Sequence, residues 1–165
     1  MKPQIKKVEV FGVAMPLVGT FKSAGIAKQA TKCVVVRLTA ADGTVGISSL
    51  EPSASAKSPG TAAELVVAIR ERIAPALIGQ DPTNLNRLIE VLDKLTPTQH
   101  GAGAAVEMAC VELASRIQGV SLPTYLGGAA ETEVKFNGWI GELPPAEAAA
   151  DARRWLKMGF RSAKI

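Results

Sequence analysis

The last part of the chain carries the strongest constraint on its fold. Glu133 to Ile140 reads as a strand. Pro144-Pro145 opens a helix bearing Ala148, Ala149, Ala152, Trp155 and Leu156, Gly159 ends it, and Phe160 to Ile165 reads as a second strand. Strand, helix and strand within roughly thirty residues is the size of a βαβ unit. Parallel strands need such a crossover, so this segment predicts a parallel pair with one edge still to be satisfied.

The other end of the chain obeys a different rule. Residues 5–15 predict a strand in which Val8 and Val10 oppose Lys7, Glu9 and Phe11. Residues 32–40 predict a second strand, whose β-branched run suits a pleated sheet. Asp42-Gly43 tolerates the positive φ of a tight hairpin turn, and Val45-Gly46-Ile47 returns as a third strand. The expectation is a small antiparallel meander. Leu17 to Thr31 shows neither helical nor strand period and is expected as a long loop, as is the Ser-, Ala- and Pro-rich stretch from Ser48 to Gly60.

Helices follow the meander. Thr61 and Glu64 form a capping box, after which Ala62, Leu65, Val66, Ile69 and Ile73 make one apolar stripe. Pro75 is expected to interrupt that helix. Asp81-Pro82 supplies a capping acceptor and a first-turn proline for the next helix, with Leu85, Leu88, Ile89, Leu92 and Leu95 at helical spacing. A third helix is expected from about Ala104 to Gln118. Val106, Ala109, Cys110, Leu113 and Ile117 share one face of it, Glu112 and Arg116 are spaced to pair, and Gly119 terminates it.

Bulk properties exclude several classes. At 47% apolar and 21% charged the chain is an ordinary globular protein, long enough for one core and a fragment of another. Its net charge of +4 is scattered, without the clustering and interleaved aromatics of a nucleic-acid surface. No apolar stretch approaches a membrane span, and Met1-Lys2-Pro3-Gln4-Ile5 lacks the apolar region of a secretory signal, so the cytoplasm is expected. Cys33 and Cys110 sit in apolar runs and read as small buried hydrophobes.

Chemistry is sparse. Gly101-Ala-Gly103 lacks the third glycine and preceding strand of a dinucleotide fingerprint and reads as a flexible helix entry. His100, the only histidine, reads as a surface or capping side chain. Lys164 differs, because it stands at the growing end of the second strand of the βαβ unit. In β/α barrels that is where catalytic groups stand. Taken alone, a solvated terminal lysine explains it as well.

The motifs converge on a family. Ala104-Ala-Val-Glu-Met-Ala-Cys-Val-Glu-Leu-Ala-Ser-Arg116, then Gly119-Val-Ser-Leu-Pro123 and Tyr125-Leu-Gly-Gly128, resembles the last capping-domain helix and exit loop of the enolase superfamily, in its muconate-cycloisomerase and mandelate-racemase branch. Gly159-Phe-Arg-Ser-Ala-Lys-Ile165 resembles the strand carrying that branch's Lys-x-Lys motif. Ile73-Ala-Pro-Ala-Leu-Ile-Gly-Gln-Asp-Pro82 and Ala41-Asp-Gly-Thr-Val-Gly46 resemble it too. The chain departs at Val111-Glu112, Ser115-Arg116 and Gly46-Ile-Ser-Ser49, where relatives often carry Trp-Asp, Gly-Lys and Gly-x-Gly-Glu.

The resemblance implies an α+β capping domain, a three-stranded antiparallel meander plus a helical bundle, over residues 1–130. The first strand, helix and second strand of an incomplete (β/α) barrel would then occupy residues 131–165. It implies removal of the proton next to a carboxylate through an enediolate, with Mg²⁺ stabilising the charge and a lysine or histidine as base. Lys164 would be the first lysine of the pair. Two lysines at i and i+2 face the same way, and each disfavours the other's charge, leaving neutral base available. The metal ligands would lie on later strands, since a full barrel takes about 250 residues, so the 165-residue chain alone is expected to be inactive.

The capping domain of the family closes over the barrel mouth with two loops, here Leu17–Thr31 and Ser48–Lys57. Phe21 and Ile26 would offer apolar surface to the substrate and Lys22 or Lys28 a charge, with Ser48, Ser49, Leu50 and Glu51 in the second loop. The expected partners are a small carboxylate substrate, the remainder of the barrel domain and further copies of the parent enzyme, with neither nucleic acid nor membrane. The reaction is expected to be isomerase, cycloisomerase or racemase in type. An acid-sugar or hydroxy-acid dehydratase and a non-enzymatic α+β binding or assembly module are the alternatives.

Overall fold

The computed structural model describes residues 3–23, 26–52 and 60–165, with the side chains at 20, 22, 23 and 26 also outside the description. The chain divides into two compact units. One comprises residues up to Ala14 together with Lys32–Gly128, the other Met15–Thr31 together with Ala129–Ile165.

The first unit is a three-stranded sheet, in the order β1-β2-β3, backed by helices. Strand β1 covers Ile5–Ser23, β2 Ile26–Ala40 and β3 Val45–Leu50. The β2–β3 pair is antiparallel, with Arg37 opposite Ile47 and Thr39 opposite Val45. The Asp42-Gly43 turn forms as expected. Gly43 takes φ 88°, and the Asp42 carboxylate accepts the Thr44 N–H at 2.9 Å. That bond, with the Thr44 hydroxyl, holds the Asp42 carboxyl below its ordinary range. Alternation along β2 sends Val34, Val36, Leu38 and Ala40 into the core and leaves Arg37 outside.

The loop expected over Leu17–Thr31 is not one. β1 continues to Ser23 and β2 begins at Ile26, so both strands run on as a hairpin arm. Gly, Ala, Ser and Lys there give no alternation, yet a ladder is a backbone property and forms without it. The expected second loop also begins too early, because Ser48, Ser49 and Leu50 lie in β3, opposite Val36, Val35 and Val34. Its residues 53–57 lie outside the described residues.

The capping box at Thr61 is present in both directions, Glu64 N–H to Thr61 Oγ1 at 3.2 Å and Thr61 N–H to Glu64 Oε2 at 2.6 Å. It opens helix α1, Ala62–Ala68. Pro75 does not break the path. Ile69–Ile73 widens into a π turn in which the Ala74 N–H reaches the Ile69 carbonyl, and α2, Ala74–Leu77, continues with the proline in its first turn. A proline has no N–H for the carbonyl four residues back and its ring crowds that carbonyl, so the wider turn relieves both problems.

Helix α3, Leu85–Leu95, is capped by Asn84 and not by Asp81. The Asp81 carboxylate is taken by the Thr83 N–H and hydroxyl at 2.9 and 2.6 Å, a local Asx turn that uses the acceptor before the helix begins. Helix α4, His100–Ile117, starts four residues before the expected Ala104, so Gly101 and Gly103 are helical rather than a flexible entry. Glu112 pairs with Arg116 at 2.7 Å. Gly119 at φ 68° closes α4, its N–H on the Arg116 carbonyl and the Val120 N–H on that of Ser115, the Schellman pattern. A short helix α5, Leu122–Tyr125, follows.

Ala102, Ala105, Val106, Ala109, Cys110 and Leu113 of α4 are fully buried in one core with Ile5, Val34, Val36, Leu38, Leu65, Ile69, Ile73, Leu77 and Leu88. Strand β3 lies so close to α4 that a Cβ on Gly46 would collide with the Ala109 carbonyl. The Ile47 N–H donates to the Glu112 carboxylate and the Ser48 hydroxyl to the Ala105 carbonyl, fastening this edge strand to the helix.

In the second unit the strand expected over Glu133–Ile140 shrinks to β4, Gly138–Trp139, and that over Phe160–Ile165 to β5, Ala163–Lys164. Helix α6, Pro145–Lys157, connects them. They pair in parallel, Gly138 opposite Ala163 and Trp139 opposite Lys164. A strand extends only as far as it has a neighbour to bond, and Val134 and Phe136 before β4 are about three-quarters exposed. Gly159 at φ 94° ends α6 with the same two-bond pattern as Gly119.

Candidate active site

The site is built on the β4–β5 pair. A Cβ on Gly138 would meet the Trp155 ring at 2.5 Å, so Gly138 turns toward α6 and its lack of a side chain lets the indole lie on the strand. The Trp155 Nε1–H then donates to the Trp139 carbonyl at 2.8 Å, while Phe160 meets the Trp155 ring edge-on with centroids 5.0 Å apart. Side chains alternate along a strand, so Trp139 leaves the opposite face. Its registered neighbour Lys164 leaves that face with it, exposed and directed away from α6.

The hairpin arm contributes to the same face. The Phe21 ring stacks on Trp139 with centroids 4.6 Å apart and planes 7° from parallel, and the Lys28 ammonium lies 5.1 Å from the Phe21 centroid. Leu17, Val18, Gly19, Phe21 and Trp139 border a small open cavity of about 200 Å³. Trp139 is the residue that sequence reasoning missed. The available signal was its place one residue after a glycine in the first strand of the β/α unit.

The other anticipated residues are dispersed. Ser48 is hydrogen-bonded to α4, Leu50 packs against the first unit's core, and Ser49 and Glu51 are exposed. The side chains of Lys22 and Ile26 lie outside the described residues. His100 begins α4 and belongs to the first unit. Among the described residues no three His, Cys, Asp or Glu side chains gather where a metal ion could be held. Nor, among those residues, is any helix long and apolar enough to cross a membrane.

Residues 5–127 match the family described as mandelate racemase / muconate lactonizing enzyme, N-terminal domain. The chain belongs to that family, a branch of the enolase superfamily. It is 30% identical over 162 residues to the L-Ala-D/L-Glu epimerase of Bacillus subtilis (strain 168), covering 98% of this chain and 44% of the epimerase. The cis-3-hydroxy-L-proline dehydratase of Roseibium aggregatum is 30% identical over 159 residues, 95% of this chain and 43% of the dehydratase. Among solved structures, the dipeptide epimerase of Enterococcus faecalis V583, complexed with Mg and the dipeptide L-Leu-L-Tyr, superposes with a TM-score of 0.90 at 28% identity, covering all of this chain and 45% of that one. The chain thus spans less than half the length of these relatives. The antiparallel sheet and its helices are the family's N-terminal domain.

Proposed function

We propose that this chain is the N-terminal part of a longer, Mg²⁺-dependent enzyme that removes the proton next to a substrate carboxylate, forms an enediolate and returns the proton elsewhere, an isomerase of epimerase, racemase or cycloisomerase type. Residues 1–130 act as its capping domain and residues 131–165 as the first elements of its barrel. The observation that carries this reading is the face of the β4–β5 pair: Lys164 projects from the side opposite α6, beside Trp139. An amine there takes the α-proton when neutral and gives it back when charged. The similarity to dipeptide and L-Ala-D/L-Glu epimerases supports a small carboxylate substrate.

The metal would be held by residues of later barrel strands, and its role is to stabilise negative charge on the substrate carboxylate. The arm carrying Phe21, Lys22, Ile26 and Lys28, with the segment that starts at Glu51, would shape the substrate's surroundings. The two cysteines are buried and free, which fits a reducing compartment such as the cytoplasm.

A second reading, dehydration of a hydroxy acid, is favoured by the 30% identity to the proline-type dehydratase, because loss of a β-hydroxyl begins with the same proton abstraction. Solvent-deuterium exchange into the substrate separates these readings. In a parent enzyme carrying this chain, Lys164→Ala should slow α-proton exchange about a hundredfold or more, with the circular dichroism spectrum unchanged. Exchange at the wild-type rate would remove Lys164 from the reaction. Exchange without dehydration selects the isomerase, and dehydration selects the alternative. The 165-residue chain by itself should show neither.

A further inference from the structure

We infer that Trp155 is a positioning residue for Lys164: it ties helix α6 to both ends of the β/α unit and so fixes the strand that carries the amine. The tie itself stands without the proposed reaction, and only its consequence for proton transfer rests on that reading.

The two strands alone are a weak support. The Gly138 N–H donates to the Ser162 carbonyl at 2.9 Å and the Ile140 N–H to the Lys164 carbonyl at 2.8 Å. A bare strand pair is marginal in water, and each strand here is two residues long. Helix α6 has no fully buried side chain to add. Its half-buried positions are Ala148, Asp151 and Trp155, spaced to share one side of the helix. Of these, Trp155 has the reach to engage both strands' surroundings.

It does so with separate parts of the residue. Gly138 and Ile140 turn their N–H groups to β5, so the backbone groups of Trp139 between them turn the other way and stay outside that ladder. The Trp155 Nε1–H takes the Trp139 carbonyl at 2.8 Å. The ring lies against Gly138, where any Cβ would collide with it. Toward the second strand, the Phe160 ring meets the indole edge-on at 5.0 Å, and the Phe160 N–H donates to the Trp155 carbonyl at 3.1 Å. The Arg154 guanidinium, paired with Asp151 at 3.0 Å, adds a cation–π contact 4.8 Å from the indole centroid. One residue of α6 therefore bonds β4 and packs on the entry to β5. Lys164 leaves the opposite face, so Trp155 does not touch its amine. It acts through the backbone: the Lys164 carbonyl is held by Ile140, the residue after the carbonyl that the indole holds.

Amide exchange of the intact chain, resolved by NMR, tests the tie. Trp155→Phe keeps a ring against Gly138 and loses only the N–H. It should exchange about threefold to tenfold faster at Gly138 and Ile140. Trp155→Ala, which also loses the ring contacts, should exchange faster still, and residues 32–50 and 62–117 should not change in either variant. The chain has two tryptophans and so two indole N–H signals. The one that disappears in Trp155→Phe should be the slower to exchange in the wild type. In a parent enzyme carrying this chain, Trp155→Phe should lower kcat for α-proton exchange about tenfold and leave KM within about twofold, because the amine moves and the substrate's contacts do not. Wild-type exchange at Gly138 and Ile140 in both variants would overturn the inference, and so would a Trp155 indole N–H that exchanges faster than that of Trp139. Faster amides with an unchanged kcat would overturn the link to Lys164. A wild-type parent that exchanges no α-proton would instead remove the proposed reaction, and the amide result would still decide whether Trp155 ties the unit.

Discussion

Helices α4 and α6 both carry apolar residues at helical spacing, both end on a glycine with the same two-bond closure, and both sit next to a strand. Half the residues of the 18-residue α4 are buried, whereas none of the 13 residues of α6 is. The difference lies in what each finds within its own unit. Helix α4 meets a full sheet and three further helices, and small residues along it permit close approach. Helix α6 meets a two-residue strand pair, with Trp155 as its main contact. Leu156 and Met158 remain 68% and 62% exposed, and Val134 and Phe136 more so. The same kind of helix closure therefore accompanies a buried helix in one unit and a solvated helix in the other.

The largest test of that contrast is a pair of truncations. Leu113→Ala empties a fully buried site and should cost about 2–5 kcal/mol in urea unfolding. Leu156→Ala should change stability by no more than about 0.5 kcal/mol. Equal losses would mean that α6 covers a core as the first unit's helices do.

Next come the two glycines that admit a neighbour. On Gly46→Ala the new methyl meets backbone atoms of α4, which cannot yield, and overpacking should cost about 1–3 kcal/mol or more. On Gly138→Ala it meets Cβ, Cγ and Cδ2 of Trp155; the ring can turn but Cβ cannot, so the solvated helix α6 must shift with it. The expected signature there is altered tryptophan emission and loss of the indole bond, with a smaller shift in the unfolding midpoint. If Gly46→Ala is the milder change, the close approach of β3 to α4 is not what holds that edge.

Helix entries differ in the same sense. Thr61→Ala removes one side of the capping box and should cost about 1 kcal/mol. Helix α6 enters through Pro144 without a side-chain cap and has no equivalent bond to lose. Thermal melting of Thr61→Ala beside Pro144→Ala sharpens this comparison.

The smallest effect is alkaline. Burial, then the nearby Glu107 charge, pushes the Cys110 thiol from its ordinary 9.0 up to about 12. Between those values the unfolded thiol loses its proton while the folded one keeps it, so stability falls as pH rises through that window. Cys110→Ala should flatten the fall. Both cysteines belong to the first unit, so Leu156→Ala should leave the alkaline profile unchanged.

Much of the molecule was legible where the cause is local. The capping box at Thr61, the Asp42-Gly43 turn, the Glu112–Arg116 pair and the glycines after α4 and α6 each depend on residues within a few positions, and each forms as expected. Misreadings arose where two local solutions compete. Asp81 satisfies Thr83, so Asn84 caps α3 in its place. Gly101-Ala-Gly103 is a poor helix former, yet burial of Ala102 and Ala105 draws it into α4. The arm escaped notice because its side chains carry no pattern, the ladder being made by the backbone.

The sequence by itself determined the order of elements, the caps and turns that bound them, and the family, because these rest on short-range bonding and on motif order along the chain. Tertiary structure alone decided that Phe21 lies on Trp139, that Gly138 faces Trp155, and that Lys164 therefore points away from α6. Those contacts join residues far apart in the chain, and their geometry follows from strand register and ring packing, neither of which a linear pattern encodes.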